Sequence, residues 1–137
     1  MNIAIITARK GSKRLKNKNI RLLKNKPLYY WAIKILKKSG IFKKIVVTTD
    51  HPKIIKNAKK FGADLVLIRK KNLADDKSTT IEVVKDTIIQ LKNLNLKFTY
   101  VCCMYPTSLL TNPKDIKKSF TILKKNKEKF VFPVYPA

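Results

Sequence analysis

Short apolar runs alternate along the chain with longer segments in which hydrophobic residues recur at every third or fourth position. The apolar runs are rich in Ile and Val, as is typical of parallel strands that are buried on both faces. They lie at positions 2–7, 44–49, 64–69, 98–104 and 130–134. The pattern therefore predicts five strands.

The segments between these runs have the periodicity of surface helices. After Pro27, which suits the first turn of a helix, apolar residues recur at i, i+3, i+4, i+7 and i+8 until Ser39 and Gly40 end the pattern. Thr79 and Glu82 have the spacing of a capping box at the start of another helix. The predicted helices lie at 28–39, 51–61, 79–94 and 113–126.

This alternation predicts an α/β fold, a three-layer, Rossmann-like and mostly parallel sheet with helices on both faces. A chain of 137 residues has room for one such domain, spanning 1–137. The chain stops just after the fifth predicted strand. We therefore expect a truncated domain, the N-terminal portion of a longer protein.

Composition indicates the class of protein and its cellular compartment. The hydrophobic fraction of 45% is normal for a globular protein. No apolar run approaches the roughly 20 residues that a membrane-spanning helix needs, and the first residues lack the basic and cleavage regions of a signal peptide. These features favour a cytoplasmic protein without a membrane partner.

The chain is unusually basic. It has 32 Lys and Arg residues but 8 Asp and Glu residues, which gives a net charge of +24. Clustered cations are typical of nucleic-acid-binding proteins, because they displace counterions from phosphates. Here the cations are spread along the chain and are not interleaved with aromatic residues as in a base-stacking surface. The pattern therefore favours a general lysine-rich composition, by compositional drift, in a protein that binds a polyanionic small substrate. Binding to nucleic acid is the alternative explanation of the charge.

Cysteine and histidine offer little chemistry. Cys102 and Cys103 are adjacent, so no ordinary loop-closing disulfide joins them, and no Cys or His spacing indicates zinc. Their apolar surroundings predict buried strand residues. His51 is the single histidine and is a weak candidate for acid–base work.

In open parallel sheets, ligands bind outside the carboxyl ends of the strands. Four predicted loops meet this rule, at 8–19, at Asp50, at 69–80 and at 105–111. The first loop combines Gly11 and Ser12 with six cations. Glycine lets backbone amides approach a phosphate, and serine, lysine and arginine donate hydrogen bonds to it. The spacing is neither that of the P-loop nor that of the dinucleotide fingerprint, and a solvated loop is the alternative.

Two other loops leave their chemistry open. Asp75 and Asp76 either bind a metal or cap the following helix. The loop that begins with Tyr105 offers hydroxyl and backbone groups that either contact a base edge or form a turn.

Four motifs at these strand ends form a more specific pattern together. The first strand runs into Ala-Arg-x-x-Ser-Lys-x-x-x-x-Lys-Asn, the second ends in Thr-Asp, the third ends in an Arg before Leu-Ala-x-Asp, and the fourth runs into Pro-Thr-Ser. The residues are Ala8, Arg9, Ser12, Lys13, Lys18, Asn19, Thr49, Asp50, Arg69, Leu73, Ala74, Asp76, Pro106, Thr107 and Ser108. In this order they resemble the acylneuraminate cytidylyltransferase family, and the resemblance covers the whole chain.

The resemblance implies a fold of the nucleotide-diphospho-sugar transferase type and a reaction. Members transfer CMP from CTP to a nine-carbon acidic sugar and release pyrophosphate. The Cys-Cys-x-Tyr-Pro-Thr segment that begins at Cys102, with Phe-Pro-Val at 132–134, is similar to the pseudaminic acid branch. Synthetases for CMP-sialic or CMP-legionaminic acid are the alternatives.

The resemblance also implies roles for individual residues. Arg9 and Lys18 are the expected catalytic residues, which hold the triphosphate and stabilise the leaving pyrophosphate. The expected nucleotide-binding residues are Ala8, Arg9, Gly11, Ser12, Lys18, Asn19, Arg69, Thr80, Tyr105 and Thr107. Mg²⁺ is the implied cofactor, with unknown ligands that we expect mainly in a later half of the protein, and full-length members are expected to be homodimers.

Two hypotheses of other classes remain at this point. One is a non-catalytic, truncated fragment that binds nucleotide weakly or not at all. The other is a basic nucleic-acid-binding domain, which is disfavoured because a triphosphate accounts for the cationic loop and no nucleic-acid motif is present. The discriminating observation is whether binding follows the base of a nucleotide or its charge alone.

Overall fold

The computed structural model describes residues 1–134 and 136. Its strands are β1 (Asn2–Thr7), β2 (Leu22–Leu23), β3 (Lys26–Pro27), β4 (Lys44–Thr49), β5 (Leu65–Ile68) and β6 (Tyr100–Met104). Its α-helices are α1 (Leu28–Ser39), α2 (Pro52–Asn57), α3 (Thr80–Asn93) and α4 (Pro113–Lys125). Two 3₁₀ turns lie at Lys18–Ile20 and Lys71–Leu73.

Four strands form a parallel sheet in the order β5-β4-β1-β6. β1 is central, and its Ile5 lies opposite Val46 on one side and Cys103 on the other. From β1 the chain steps outward to β4 and β5, and then returns past β1 to β6. All carboxyl ends therefore lie at one edge of the sheet, as the sequence predicts.

Side chains of β1 alternate between two apolar layers, because successive residues of a strand point to opposite faces. Ala4 and Ile6 pack with α1, α2 and α4 on one face, whereas Ile3 and Ile5 pack with α3 on the other. The preference for right-handed crossovers explains why α3 changes face, since the return to β6 crosses the sheet in the opposite direction. The predicted three-layer α/β architecture is confirmed.

Local signals place the ends of the helices. Gly40 follows α1 with φ 69°, in the left-handed region that glycine adopts without strain. At α3, the Thr79 hydroxyl accepts from the Glu82 amide, and the Glu82 carboxylate accepts from the Thr79 amide. The predicted stop and capping box are therefore confirmed.

The long polar segment after β1 is more ordered than its pattern predicts. It contains the 3₁₀ turn at Lys18–Ile20 and a hairpin of β2 and β3. Lys24 and Asn25, the two residues between these strands, have φ 46° and 62°. Two consecutive positive φ values are typical of the tight turns that connect short antiparallel strands.

The second predicted helix is too long at its C-terminal end. The helix α2 ends at Asn57, and the backbone then closes into turns in which the Ala63 amide donates to the Ala58 carbonyl. Gly62 takes φ 108° in this turn. The bond to Ala58 satisfies a carbonyl that a longer helix would have used.

The predicted fifth strand is wrong for residues 130–134, which form no strand. Phe130 and Phe132 are 83% and 73% exposed. An apolar run becomes a strand only where a neighbouring backbone supplies hydrogen bonds, and in the described part of the chain β6 pairs with β1 alone. Tyr135 and Ala137 lie outside the described residues.

The position of β6 also corrects the prediction for the cysteines. Because β6 is an edge strand, Cys102 is half-buried and Cys103 is exposed rather than buried. Across residues 1–134 and 136, none of the helices has the length and apolar character needed to cross a membrane.

Candidate functional site

A cleft of about 230 Å³ lies at the carboxyl ends of the parallel strands. Its walls come from the loop after β1, from the segment between β5 and α3, and from the loop after β6. The lining residues are Thr7, Arg9, Gly11, Lys18, Asn19, Arg69, Asp75, Asp76, Ser78, Thr80, Val83, Tyr105, Pro106 and Thr107.

The cleft brings together eight of the ten residues for which sequence reasoning predicts nucleotide binding. Ala8 and Ser12 are the two that do not line it. Ala8 is buried in the core, where its carbonyl accepts from the Thr49 hydroxyl at 2.5 Å. Ser12 is half-buried beside the cleft. Ala8 thus shapes the wall through its backbone.

Three hydrogen bonds fix residues 8–19, which we call the phosphate loop after its predicted role. The Thr49 hydroxyl holds its first residue, and the Lys10 amide donates to Asp50 Oδ1 at 2.6 Å. At the other end, Asn19 Nδ2 donates to the Arg9 carbonyl at 2.9 Å. The end of β4 and the 3₁₀ turn at Lys18–Ile20 therefore hold the loop from both sides.

Gly11 leaves free space in this loop. A Cβ atom built at this position meets no atom within 4 Å. The surrounding protein therefore does not require glycine for steric reasons. The missing side chain gives a bound group access to the backbone, as phosphate-binding loops require.

The cations of the phosphate loop differ in their pairing. Arg9 Nη1 donates to Asp76 Oδ1 at 2.5 Å and to the Asp75 carbonyl at 3.0 Å. Lys13 Nζ lies 2.9 Å from Asp76 Oδ2. Lys18 lines the cleft without an ion pair in the part of the chain that the structure describes. Its ammonium group is thus available to an anion.

The neighbouring carboxylates perform different tasks. Asp75 Oδ1 accepts from the Ser78 hydroxyl and amide and from the Lys77 amide, and these bonds, those of Ser78 foremost, lower the pKa of Asp75. The hydrogen bond from Lys13, with that from Arg9, lowers the pKa of Asp76. Asp75 therefore orders the turn before α3, and Asp76 remains charged against the phosphate loop.

The described residues do not include a group of three or more His, Cys, Asp or Glu side chains that could hold a metal ion. Both cleft carboxylates already accept hydrogen bonds from Ser78, Arg9 and Lys13. Their oxygens do not fit a metal site built from the protein alone. Asp75 does not cap α3 either, because Thr79 is the N-cap of that helix, and Asp75 instead accepts from the Lys77 and Ser78 amides of the preceding turn.

Arg69 lines the cleft and is only 7% exposed. Burial lowers its pKa, which the nearby Asp50 carboxylate partly offsets. Its Nε is buried and has no acceptor among the described residues, and its Nη2 lies 3.5 Å from the Thr48 carbonyl. A buried donor without an acceptor is costly, so a ligand acceptor would stabilise this side chain.

One contact in the cleft joins α3 to the loop after β6. The hydroxyls of Thr80, at the start of α3, and Tyr105, after β6, lie 2.5 Å apart. The next residue, Pro106, is buried. This contact fixes the tyrosine ring at the rim of the cleft, where its face can pack against a planar ligand.

Sequence reasoning missed some lining residues. Thr7 is the last residue of β1, and Ser78 and Pro106 lie in the loops already chosen as candidate sites. Val83 lies one helical turn after Thr80, and that spacing was the signal for it. His51, the single histidine, lies outside the cleft lining, and its Nδ1 accepts from the Lys53 amide at the start of α2.

Comparison with known proteins agrees with the resemblance found in the sequence motifs. The family model described as cytidylyltransferase matches residues 3–137. A pseudaminic acid cytidylyltransferase of Campylobacter jejuni subsp. jejuni serotype O:2 is 39% identical over 131 residues, which cover 96% of this chain and 56% of that protein. A CMP-N,N'-diacetyllegionaminic acid synthase of Legionella pneumophila is 37% identical over 122 residues, which cover 89% of this chain and 53% of that protein.

The chain thus spans about half the length of these curated relatives. A solved structure of CMP:2-keto-3-deoxy-manno-octonic acid synthetase, complexed with CTP, superposes with a TM-score of 0.73 at 17% identity, over 92% of this chain and 48% of that one. This likeness supports the fold, and the match of the family model over 3–137 identifies the family. The chain belongs to the cytidylyltransferase family.

Proposed function

We propose that the cleft binds CTP, and that the full-length protein transfers CMP from CTP to a nine-carbon acidic sugar with release of pyrophosphate. Pseudaminic acid is the proposed sugar, because relatives named for that activity align with 96% of the chain. The observation that carries the proposal is that Arg9, Gly11, Lys18 and Arg69 line one cleft.

The phosphate loop supplies the triphosphate half of the proposed site. Gly11 gives access to the backbone, and Lys18 and Arg9 supply positive charge on the same side of the cleft. Bonds between such cations and phosphate oxygens are charge-assisted and are stronger than neutral ones. Asn19 holds the Arg9 backbone and thereby orients that side chain.

Arg69, Thr80, Tyr105 and Thr107 supply the proposed base site. Cytosine carries adjacent acceptors at O2 and N3, and the buried Arg69 has a donor at Nε without an acceptor among the described residues. The linked hydroxyls of Thr80 and Tyr105, together with Thr107, surround the remaining space. In this arrangement the O2 and N3 edge of the base faces Arg69 and the ribose lies near Thr107.

The reaction proposed for the complete protein needs positioning and charge stabilisation more than covalent help. The anomeric hydroxyl of the sugar attacks the α-phosphorus in line, and the bond to the β-phosphate breaks. Arg9 and Lys18 hold the β- and γ-phosphate oxygens and stabilise the negative charge that grows on the leaving pyrophosphate. Because this contact strengthens in the transition state, it lowers the barrier.

Magnesium is assigned no ligand or step in this chain, because the carboxylates of the cleft do not form a site for it. We propose that Mg²⁺ enters with the nucleotide, since this ion is commonly bound through substrate phosphates and one or two carboxylates. The homodimer that the resemblance implies stays a prediction for the full-length protein.

Thermal shift with four nucleotides tests the base site. In the presence of Mg²⁺, we expect CTP to raise the melting temperature more than UTP, ATP or GTP, because a ligand that binds the folded state stabilises it by mass action. Equal shifts with all four nucleotides would show that charge alone attracts them and would contradict the base site.

A calorimetric titration with CTP tests the phosphate loop, using two alanine variants of equal net charge. Lys18→Ala should weaken CTP about tenfold or more, because a hydrogen bond to a charged group contributes roughly 1.5–3 kcal/mol. Lys125→Ala removes the same charge from α4, outside the cleft lining, and should leave the affinity within about twofold. Equal effects of both variants would refute the assignment of Lys18.

A further inference from the structure

The carboxylate of Asp76 pairs with Arg9, which the proposed function needs, and with the neighbouring Lys13 of the phosphate loop. Its Oδ1 accepts from Arg9 at 2.5 Å, and its Oδ2 lies 2.9 Å from the Lys13 ammonium. One carboxylate thus binds two cations of the phosphate loop, as two oxygens of one phosphate group would. Arg9 and Asp76 both line the cleft, so the ion pair lies within the site and not beside it.

The surrounding backbone strengthens this contact. Arg9 Nη1 also donates to the Asp75 carbonyl at 3.0 Å. The Asp75 side chain meanwhile accepts from Ser78 and Lys77, which orders the turn that carries both aspartates. The turn before α3 therefore presents Asp76 to the phosphate loop in a defined position.

We propose that Asp76 is an internal competitor for the phosphate-binding cations, which a polyphosphate must displace before Arg9 and Lys13 can bind it. This inference rests on the proposed function, and it makes Asp76 a residue that lowers the affinity of the cleft for polyphosphates. A triphosphate replaces both contacts and gains Lys18 as well. A ligand without phosphates leaves the ion pairs in place.

The size of the effect follows from the exposure of the ion pairs. The side chains of Arg9 and Asp76 are 33% and 34% exposed, and that of Lys13 is 83% exposed, so water screens both contacts in part. Ion pairs of this kind contribute little individually. We therefore expect removal of the carboxylate to tighten polyphosphate binding about three- to tenfold.

The test compares Asp76→Asn with the unchanged chain by isothermal titration calorimetry. The ligands are CTP, inorganic tripolyphosphate and cytidine, each with and without Mg²⁺. We expect tighter binding of CTP and tripolyphosphate and an unchanged affinity for cytidine. Asp76→Ala, which also removes both carboxylate oxygens, should change the affinities in the same direction, and circular dichroism checks that both variants are folded.

Asp86→Asn is the matched control for charge. Asp86 forms an ion pair with Lys70 at 2.7 Å and lies outside the cleft lining, so its substitution removes the same charge without freeing Arg9. CTP affinity should stay within about twofold in this variant.

Each remaining outcome has a distinct meaning. Unchanged or weaker CTP binding in Asp76→Asn, with normal binding in the unchanged chain, overturns the competitor role and leaves the proposed function intact. A loss that requires Mg²⁺ would assign Asp76 to the metal–nucleotide complex instead. Absence of CTP and tripolyphosphate binding in every variant overturns the proposed function and this inference together.

Discussion

Asp50 links the sheet to the phosphate loop through a single hydrogen bond. Its Oδ1 accepts from the Lys10 amide at 2.6 Å, one residue after Arg9. Asp50 itself directly follows β4, whose position in the sheet is fixed by pairing with β1 and β5. The bond therefore transmits the geometry of the sheet to the loop, and Asp50 acts as a positioning residue.

Replacement of Asp50 tests this role. Asp50→Ala should weaken CTP about three- to tenfold, because the loss of a charge-assisted hydrogen bond at a partly exposed site costs less than the full value for a buried one. Asp50→Asn keeps an acceptor oxygen and should restore most of the affinity. Calorimetric titrations with CTP and with cytidine measure both variants.

Cytidine, which has no phosphate, should bind all three proteins about equally, since the phosphate loop does not contact it. If Asp50→Ala weakens cytidine as much as CTP, the substitution has damaged the whole cleft and Asp50 has no specific effect on the loop. Failure of Asp50→Asn to restore binding would show that the charge matters more than the hydrogen bond.

At the scale of residues, sequence reasoning places the cleft but not its internal contacts. The loops that carry Arg9, Lys18 and Arg69 could be predicted because they follow the carboxyl ends of parallel strands, where ligand sites form, and the resemblance of the motifs singled out these three residues. The Arg9–Asp76 pair could not be predicted, because its partners are 67 positions apart and meet only through the packing of two loops.

At the scale of elements, strong local signals predict the helices, and weak ones fail. The capping box at Thr79 and the stop at Gly40 are fixed by residues within one turn of each helix end. The hairpin of β2 and β3 has two residues in each strand, too few for a periodic pattern. Its turn, Lys24-Asn25, also lacks the glycine that is the strongest hairpin signal.

The N-terminal cap of α2 depends on the protonation state of His51. Its Nδ1 accepts from the Lys53 amide at 3.2 Å and caps the helix, which requires an unprotonated Nδ1. Burial lowers the pKa of His51 below its usual value of 6.5, Lys10 and Lys53 lower it further, and Asp50 opposes them. The folded state therefore favours the neutral imidazole.

This shift predicts the direction of a stability change with pH. As the pH falls through 6.5, the unfolded chain binds a proton before the folded chain does, so stability is lost between 6.5 and the lower folded pKa. We expect the melting temperature to fall by up to about 4 °C between about pH 7.0 and 5.5, because an N-cap contributes about 1 kcal/mol.

Asn is the matched replacement, because its side chain caps helices and does not titrate. His51→Asn should reduce the dependence over this range, which scanning calorimetry in low-salt buffer measures. An equally steep dependence in His51→Asn would show that other groups cause the change, although His51 is the chain's single histidine.

At the scale of the whole molecule, the sequence predicts the three layers correctly but predicts a fifth strand that does not form. Four parallel strands and helices on both faces follow from alternation and from the handedness of crossovers. Residues 130–134 have the same apolar character as the other strands but form none. A strand needs a paired neighbour, and that neighbour cannot be read from the run itself.

Two opposing effects determine whether the chains associate with one another. The edge strand β6 pairs on one side only in the described residues, and Phe130 and Phe132 are largely exposed. Unpaired edges and exposed aromatic residues promote association between chains. The net charge of +24 opposes it through mutual repulsion.

Salt shifts this balance, because the screening length falls from about 10 Å at 0.1 M to about 3 Å at 1 M while apolar attraction persists. We expect sedimentation velocity to show single chains at about 0.05 M NaCl and larger species at about 0.5 M. The double variant Phe130→Ser with Phe132→Ser should remain dissociated at both concentrations, since it removes apolar surface and leaves the charge unchanged. Single chains in the unchanged protein at high salt would show that β6 and the two phenylalanines do not drive association, and equal association of the double variant would assign the contact to another surface.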